Sequence, residues 1–164
     1  IKMERTDLQA ETDRIVDTYS DMVYKLAYAQ VRNKNDADDI YQEVFLRYVR
    51  KKPAFESTEN EKAWFIRVTV NCCKNFWNTP FRKRTQSLED NIVFQSEEES
   101  YLKPLVEQLP EAYRAVVHLF YYEDMAVSEI SKVLGRKEAT VRVQLMRSRK
   151  LLRDILEGDE SFVG

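Results

Sequence analysis

The chain has 164 residues, of which 33% are charged and 43% hydrophobic, with only three glycines and four prolines. This composition argues against disorder throughout the chain and against a sheet protein rich in tight turns, and it favours helices. The formal net charge of −2 argues mildly against nucleic-acid binding by the chain as a whole. The charges are segregated, however, because seven cations and one acid lie between positions 136 and 153, whereas seven acids and one lysine lie between 89 and 111.

Apolar residues recur at helical spacing in three stretches of the first half of the chain. They predict helices over about 11–32, 36–51 and 60–77. Asn35 is the predicted N-cap of the second helix, which should end before Pro53. The residues predicted to face inward are Ile15, Tyr19, Met22, Val23, Leu26 and Val31, then Ala37, Ile40, Val44, Phe45 and Tyr48, then Ala63, Trp64, Ile66, Val70, Cys73 and Trp77.

The connection between the second and third helices, residues 52–60, reads as a loop. Thr58 and Glu61 have the spacing of a capping box, which predicts the start of the third helix.

Residues 78–100 differ in character from the helical stretches on either side. Thr79-Pro80 lies near their start, a basic segment follows at 81–84, and three consecutive glutamates occur at 97–99. We expect a flexible linker with one turn of helix near Leu88, and therefore a domain boundary.

Four short helical patterns follow the linker, and they span about 101–108, 111–122, 127–134 and 138–156. Pro110 suits the start of the second of them. A short helix, a turn that contains Gly135 and a longer basic helix describe a helix-turn-helix. The residues predicted to be buried in those last two helices are Val127, Ile130, Val133, Leu134, Val141, Leu145, Leu152 and Ile155.

The predicted fold is all-α. Two small helical domains, residues 1–78 and 101–164, are joined by a flexible linker of residues 79–100, and the C-terminal domain contains the helix-turn-helix.

The sequence lacks the usual side-chain sets of an enzyme or a metal site. Cys72 and Cys73 are neighbours, so a disulfide between them would be strained, and without nearby histidines they make no zinc site. His118 is the only histidine and lies in an apolar run, which indicates a structural role. No glycine-rich phosphate loop, membrane span or signal peptide is evident. We therefore predict a cytoplasmic protein without catalytic residues, metal or cofactor.

Two surfaces stand out among the predicted helices of the first domain. Asp39, Gln42 and Glu43 share one helix face by their spacing, and such an acidic face is usually only a solvated surface. The third helix carries polar and cationic residues, and an aromatic residue, Phe55, lies in the preceding loop. Polar groups, pockets for flipped bases and cations are what a single-stranded DNA site needs. The alternative is that Trp64 is core and its polar neighbours are merely solvated.

Several stretches of the sequence resemble one family, the extracytoplasmic-function (group IV) sigma factors of bacterial RNA polymerase. The first stretch runs from Asp36 to Arg47, and Ala63–Arg67 with Asn71 follows it. The second runs from Leu109 to Arg149, and its matching segments are Leu109–Arg114, Glu129–Ser131, Leu134-Gly135, Ala139–Arg142 and Leu145–Arg149. The resemblance covers nearly the whole chain outside the termini and the linker.

The resemblance implies a promoter-specific initiation factor that binds core RNA polymerase, at the clamp helices of the largest subunit and the flap of the second-largest. Contact with the clamp would fall on Asp36, Asp39, Gln42, Glu43 and Leu46. The minus-10 element would be read by the loop 53–60 and the third helix, through Phe55, Arg67, Asn71, Lys74 and Asn75. The minus-35 element would meet Arg142, Val143, Met146 and Arg147 at its base edges and Arg136, Lys137, Arg149 and Lys150 at its phosphates. An anti-sigma partner is expected as well.

Four positions depart from the family pattern. Arg142-Val143-Gln144 replaces the usual Lys/Arg-Ser-Arg run, and neither Ala126 nor Lys137 offers the side chain of a usual helix N-cap.

Two other functions remain open. An autonomous helix-turn-helix regulator with an N-terminal dimerisation or ligand domain would explain the C-terminal half equally well. A pure protein-interaction module is disfavoured by the basic recognition helix.

Overall fold

The computed structural model describes residues 2–77 and 108–163, and the chain separates into two compact units, residues 1–88 and 89–164. No strand occurs among the described residues, so the all-α prediction is confirmed. The helices are α1 (Lys2–Val31), α2 (Lys34–Lys51), α3 (Thr58–Trp77), α4 (Glu111–Val117) with a π-helical continuation (His118–Tyr122), α5 (Val127–Leu134) and α6 (Glu138–Val163).

In the first unit, α1, α2 and α3 each pack against the other two. α1 begins nine residues before the predicted start because its first turns carry good helix formers rather than the apolar repeat on which the prediction rested. All six apolar residues predicted to be the inner face of α1 lie in the core, which confirms that part of the prediction.

The predicted N-cap of α2 is wrong by two residues. Asn33, not Asn35, caps the helix, because its backbone is extended and its side-chain Oδ1 accepts a hydrogen bond from the Asp36 N–H at 3.1 Å. Arg32, with φ of 57°, ends α1 just before it, so one residue separates the end of one helix from the cap of the next. α2 ends before Pro53 as predicted, and Lys52 closes it in a left-handed conformation.

The capping box predicted for α3 is also wrong. Ser57 caps the helix instead, since its Oγ accepts a hydrogen bond from the Asn60 N–H at 3.1 Å. The inner face of α3 is wider than predicted, because this helix packs against both α1 and α2. Ala63 and Trp64 are only half-buried, and the Trp77 side chain lies outside the described residues. The buried residues of α3 that the prediction missed are Glu61, Phe65, Thr69, Cys72 and Phe76.

In the second unit, α4 begins after Pro110 as predicted and continues as the π-helical turn through Tyr122, which confirms the predicted extent of 111–122. α5 and α6 form the predicted helix-turn-helix around Gly135, whose φ of 67° is the left-handed conformation that glycine adopts readily. α6 continues past the predicted end to Val163. The predicted helix over 101–108 and the turn near Leu88 lie outside the described residues, apart from position 108.

The core of the second unit contains Ile130, Val133, Val141 and Leu145, as predicted. Val127, Leu134, Leu152 and Ile155 were predicted to be buried and are only half-buried. These four lie at the ends or along the distal part of their helices, where fewer neighbours cover them.

Neither Cys72 nor Cys73 forms a disulfide; both are buried, and burial raises the pKa of the Cys72 thiol. His118 is buried too, and its ring stacks on Tyr122 at a centroid distance of 5.0 Å, as a structural histidine would. Within the described ranges, no group of three or more His, Cys, Asp or Glu side chains is placed to hold a metal ion. None of the helices described above combines the length and the apolar character that a membrane crossing requires.

Candidate functional site

The outer face of α2 is the first candidate surface. Asp39 and Gln42 are exposed, Glu43 is half-exposed, and Leu46 is 46% exposed, so the structure brings these predicted contact residues to one side of the helix. Asp36 is half-buried at the start of the helix. The opposite side of α2 holds this face in place by burying Ala37, Ile40, Val44 and Tyr48.

The outer face of α2 continues as an apolar strip, which sequence reasoning missed. Val49 follows Leu46 by three positions, and 49% of Val49 is exposed. Glu43 forms an ion pair with Arg47 at 3.1 Å beside this strip. The two apolar residues lie at helical spacing on an otherwise polar face, and that spacing is the sequence feature that could have identified them.

The loop before α3 is anchored by an aromatic cluster. Phe55 is half-buried, and its ring meets that of Trp64 edge-on at a centroid distance of 5.9 Å. Trp64 in turn lies edge-on to Phe65 at 4.9 Å and to Tyr48 at 6.2 Å. The Phe55 ring therefore packs partly inward and holds the loop against the helices.

The outer face of α3 carries the other four residues predicted to contact single-stranded DNA. Arg67, Asn71, Lys74 and Asn75 are all exposed, and their spacing of four, three and one residues places them on one side of the helix. This face spans about 12 Å of helix, at 1.5 Å per residue. Two cations and two amides along such a length suit a phosphate backbone with neighbouring bases.

An ion pair between the buried Glu61 and the half-exposed Arg14, which sequence reasoning missed, braces the start of α3. Both carboxylate oxygens of Glu61 accept hydrogen bonds from Arg14 of α1, at 2.9 and 3.3 Å, and Tyr19 Oη donates to Glu61 Oε1 at 2.7 Å. Only 8% of the Glu61 side chain is exposed. The hydrogen bond from Arg14 holds the pKa of Glu61 below its ordinary value, while burial and the bond to Glu61 raise the pKa of Tyr19. Local spacing gave no signal for this pair, because Arg14 lies 47 positions before Glu61.

In the second unit, the exposed face of α6 is the candidate surface for duplex DNA. Lys137 lies just before the helix and is exposed, and the described side chains along it present both cations and apolar groups to solvent. Arg142 forms an exposed ion pair with Glu138 at 3.6 Å. Cations suit phosphates and guanine, and exposed apolar side chains suit thymine methyl groups. We call this surface the reading face, and its residues are Arg142, Val143, Met146, Arg147 and Lys150.

Arg149 has an intramolecular role beside its predicted phosphate contact. Its Nε donates a hydrogen bond to Tyr121 Oη at 2.7 Å, and its guanidinium carbon lies 5.6 Å from the centre of the Phe120 ring. These contacts link α6 to the π-helical turn after α4. Arg149 is exposed all the same, so its phosphate contact stays a prediction.

Arg136 also has partners within the chain, which the sequence did not indicate. Its side chain is half-buried, and Nη1 donates hydrogen bonds to Ala112 O at 3.0 Å and to Gln144 Oε1 at 2.9 Å. Burial lowers the pKa of Arg136. Both hydrogens of Nη1 are used by these two acceptors, and the phosphate contact of this residue stays a prediction.

α5 begins without a capping side chain, as the sequence predicted for Ala126. The Ala126 N–H is satisfied by Glu129, whose Oε1 accepts its hydrogen bond at 3.0 Å. Half of a capping box thus remains where the side-chain acceptor is lacking.

Comparison with known proteins places both units in one family. Residues 15–84 match the model of sigma-70 region 2, and residues 101–152 match that of sigma-70 region 4, which together cover well over half of the chain. RNA polymerase sigma factor SigV of Bacillus subtilis is 28% identical over 137 residues, which cover 79% of this chain and 81% of SigV. ECF RNA polymerase sigma factor SigE of Mycolicibacterium smegmatis is 31% identical over 157 residues, which cover 88% of this chain and 61% of SigE.

The fold is shared with a solved sigma factor. The sigma factor RpoE, in complex with the anti-sigma factor NepR from Bartonella quintana, has a TM-score of 0.69 at 17% identity, covering 92% of this chain and 97% of that chain. Because both sigma-70 regions occur in order and the relatives extend along most of the chain, the chain belongs to the extracytoplasmic-function group of the sigma-70 family, and it is an alternative sigma factor that directs promoter-specific transcription initiation.

Proposed function

We propose that this sigma factor binds core RNA polymerase through the first unit and reads the two promoter elements with separate surfaces, one in each unit. The observation that carries the proposal is the reading face of α6, the second helix of the helix-turn-helix. Arg142 and Arg147 are exposed on this face, and the opposite side of α6 is buried. Arginine pairs with the two acceptors of guanine in the major groove. Lys137, Arg149 and Lys150 would meet phosphates, which set affinity and register.

The first unit would supply the other two contacts. The outer face of α2, with Asp39, Gln42, Glu43 and Leu46, is proposed to dock on the clamp helices of the largest polymerase subunit, and Asp36 would contribute at its edge. The loop that contains Phe55 is proposed to hold a flipped base of the minus-10 element. The outer face of α3 would then follow the melted strand through Arg67, Asn71, Lys74 and Asn75.

We place the two functional domains at residues 1–78 and 101–164, with residues 79–100 as the linker. In the second unit, the exposed Tyr121 and Tyr122 offer an aromatic surface on which the flap of the second-largest subunit would dock. By analogy with the RpoE complex, an anti-sigma factor would hold this chain inactive. The chain would work in the cytoplasm and would catalyse no step itself, since the polymerase makes the RNA.

Run-off transcription with core polymerase tests this proposal. The template library has randomised minus-35 and minus-10 elements, and we expect transcripts that depend on this chain and share one enriched two-element motif. Binding of the chain to duplex DNA without core-dependent transcripts would contradict the proposal and favour an autonomous helix-turn-helix regulator.

Replacing Arg147 with alanine is expected to weaken discrimination at one base pair of the minus-35 element roughly 5- to 150-fold, since one bidentate base contact provides about 1–3 kcal/mol. The measurement is competition between the selected minus-35 sequence and its single-base variants for the holoenzyme. Arg153→Ala is the matched control, because it removes an equal charge from an exposed position farther along α6. Equal discrimination by the Arg147 variant and the unaltered chain would show that Arg147 does not contact a base of the minus-35 element.

Replacing Asp39 or Glu43 with alanine is expected to weaken binding to core polymerase by about three- to tenfold at low salt and by less at high salt, because exposed charges act mainly by steering association. Core binding is measured directly by fluorescence of a labelled chain. Asp17→Ala, which removes an exposed acid from α1, is the control and should leave affinity unchanged. Wild-type affinity in both α2 variants would show that the clamp does not contact this face.

A further inference from the structure

Arg136 lies in the turn between α5 and α6, where a cation would ordinarily be assigned to the DNA backbone. Its backbone is held on both sides, because its N–H donates to Ser131 O at 3.1 Å and its carbonyl accepts a hydrogen bond from Ser131 Oγ. The direction in which the side chain leaves the turn is therefore set by α5. That direction leads into the unit rather than out to solvent, since the side chain is half-buried.

The two acceptors of Arg136 Nη1 belong to different helices. Ala112 lies in the first turn of α4, and Gln144 lies in the second turn of α6. Both hydrogens of one guanidinium nitrogen are thus used, at 3.0 and 2.9 Å. A single side chain from the turn joins the start of α4 to the recognition helix.

Gln144 supplies the side-chain acceptor that Arg136 needs on α6. An arginine or a lysine at position 144 would face Arg136 with like charge and would offer no acceptor. Glutamine offers a carbonyl oxygen instead, which is the group that accepts from Arg136. The Gln144 backbone carbonyl is used as well, by Ser148 Oγ at 2.7 Å.

We propose that Arg136 is a positioning residue, which together with Gln144 and Ala112 sets the orientation of α6 for reading the minus-35 duplex, and that Arg136 is not one of the phosphate contacts. The inference rests on the proposed function. Its physical basis is that base recognition requires the reading face to be placed to within about 0.5 Å, whereas a phosphate contact tolerates more freedom.

The salt dependence of promoter binding separates these two roles. A cation that meets a phosphate releases a counterion, so its removal lowers the slope of log K against log salt by about 0.9. We expect Arg136→Gln to leave the slope of holoenzyme binding to a minus-35 duplex unchanged while preference for the selected sequence falls roughly tenfold, the loss of one base contact. Lys137→Gln, the adjacent exposed cation, is the matched control and should lower the slope without changing the preference.

Changes at Gln144 test the same role without touching a cation. Gln144→Ala removes the acceptor and should reproduce the loss of sequence preference at an unchanged slope. Gln144→Glu keeps an acceptor and should retain the preference. A lowered slope in Arg136→Gln, or an unaltered preference in Gln144→Ala, would overturn the proposal.

Hydrogen exchange in the free chain tests the contact without polymerase. We expect faster exchange of the amides at 139–145 in Arg136→Gln and in Gln144→Ala, but not in Lys137→Gln. Unchanged exchange in the first two variants overturns the positioning role whatever the transcription result. Faster exchange, combined with a failure of the unaltered chain to initiate transcription, would support the contact and contradict the proposed function alone.

Discussion

Replacing Phe65 with alanine is expected to destabilise the first unit by about 3–5 kcal/mol, the usual cost of removing a large buried aromatic side chain. Phe65 has no exposed surface. Its ring stacks on Tyr19 of α1 at a centroid distance of 4.6 Å and lies 5.6 Å from that of Tyr48 of α2. Because one ring contacts both other helices, no single helix movement would fill the cavity that alanine leaves.

Tryptophan fluorescence measures this effect in the first unit by itself, since both tryptophans, Trp64 and Trp77, lie in α3. For a domain of this size, 1 kcal/mol corresponds to about 4–8 °C, so we expect the melting temperature to fall by roughly 12 °C or more. Phe65→Leu retains most of the apolar volume and should cost less. A fall of only a few degrees in Phe65→Ala would show that the ring does not hold the three helices together.

Phe55→Ala tests whether the loop before α3 takes part in transcription initiation without strongly destabilising the first unit. Phe55 is half-buried in the loop and contacts Trp64 from outside, so its removal should cost only about 1 kcal/mol. We expect initiation to fall much further than stability, because the loop then loses the ring that holds it. Normal initiation by Phe55→Ala would exclude this loop from minus-10 recognition.

Glu61→Ala is expected to cost the first unit about 3 kcal/mol at neutral pH. The substitution removes the acceptor of Tyr19 Oη and of both Arg14 nitrogens. Hydrogen bonds to a charged group contribute about 1.5–3 kcal/mol each, and a buried donor left without an acceptor adds its own penalty. The Arg14 side chain is about half exposed, so water replaces part of what its hydrogen bonds to Glu61 contribute. The expected loss is therefore close to that of the buried Tyr19 hydrogen bond, and smaller than the sum over all three hydrogen bonds. Urea unfolding followed by tryptophan fluorescence measures the difference.

We expect the same carboxylate to make the first unit sensitive to acid. The pKa of Glu61 is held below its ordinary value in the folded chain, chiefly by the hydrogen bond from Arg14. Its contribution is therefore complete above the ordinary glutamate pKa of about 4.3 and is lost as the pH falls through the lower folded value. We expect the unaltered chain to lose stability more steeply below about pH 4.3 than Glu61→Gln does.

Glu59→Gln is the control for this pH dependence, since Glu59 is exposed in the first turn of the same helix. Its stability curve should run parallel to that of the unaltered chain. If Glu61→Gln also runs parallel, the ion pair with Arg14 does not contribute to acid sensitivity.

The sequence by itself determined where the helices lie and which face of most of them is buried. Apolar spacing near 3.6 residues is a local property, so Ile15, Val23 and Leu26 of α1 were identified without knowledge of their partners. The turn at Gly135 followed from one residue that adopts a left-handed backbone readily. The exposed faces of α2, α3 and α6 follow from the same spacing.

Only the tertiary structure decided which aromatic residue of α3 became the centre of the core. Trp64 and Phe65 are adjacent and both apolar, and the periodicity of α3 alone favoured Trp64. Packing against α1 and α2 together buried Phe65 completely and left Trp64 at the edge, beside the loop. A helix with two neighbours buries a wider stripe than one periodic face predicts.

The partners of charged residues were likewise decided by the tertiary structure. Glu61 has the local spacing of a capping residue, but its partner Arg14 lies 47 positions away. Arg136 has the local pattern of a phosphate contact, but it donates to Ala112, 24 positions earlier. Sequence spacing reports neighbours within a few residues along a helix, whereas these hydrogen bonds form only after separate helices have packed.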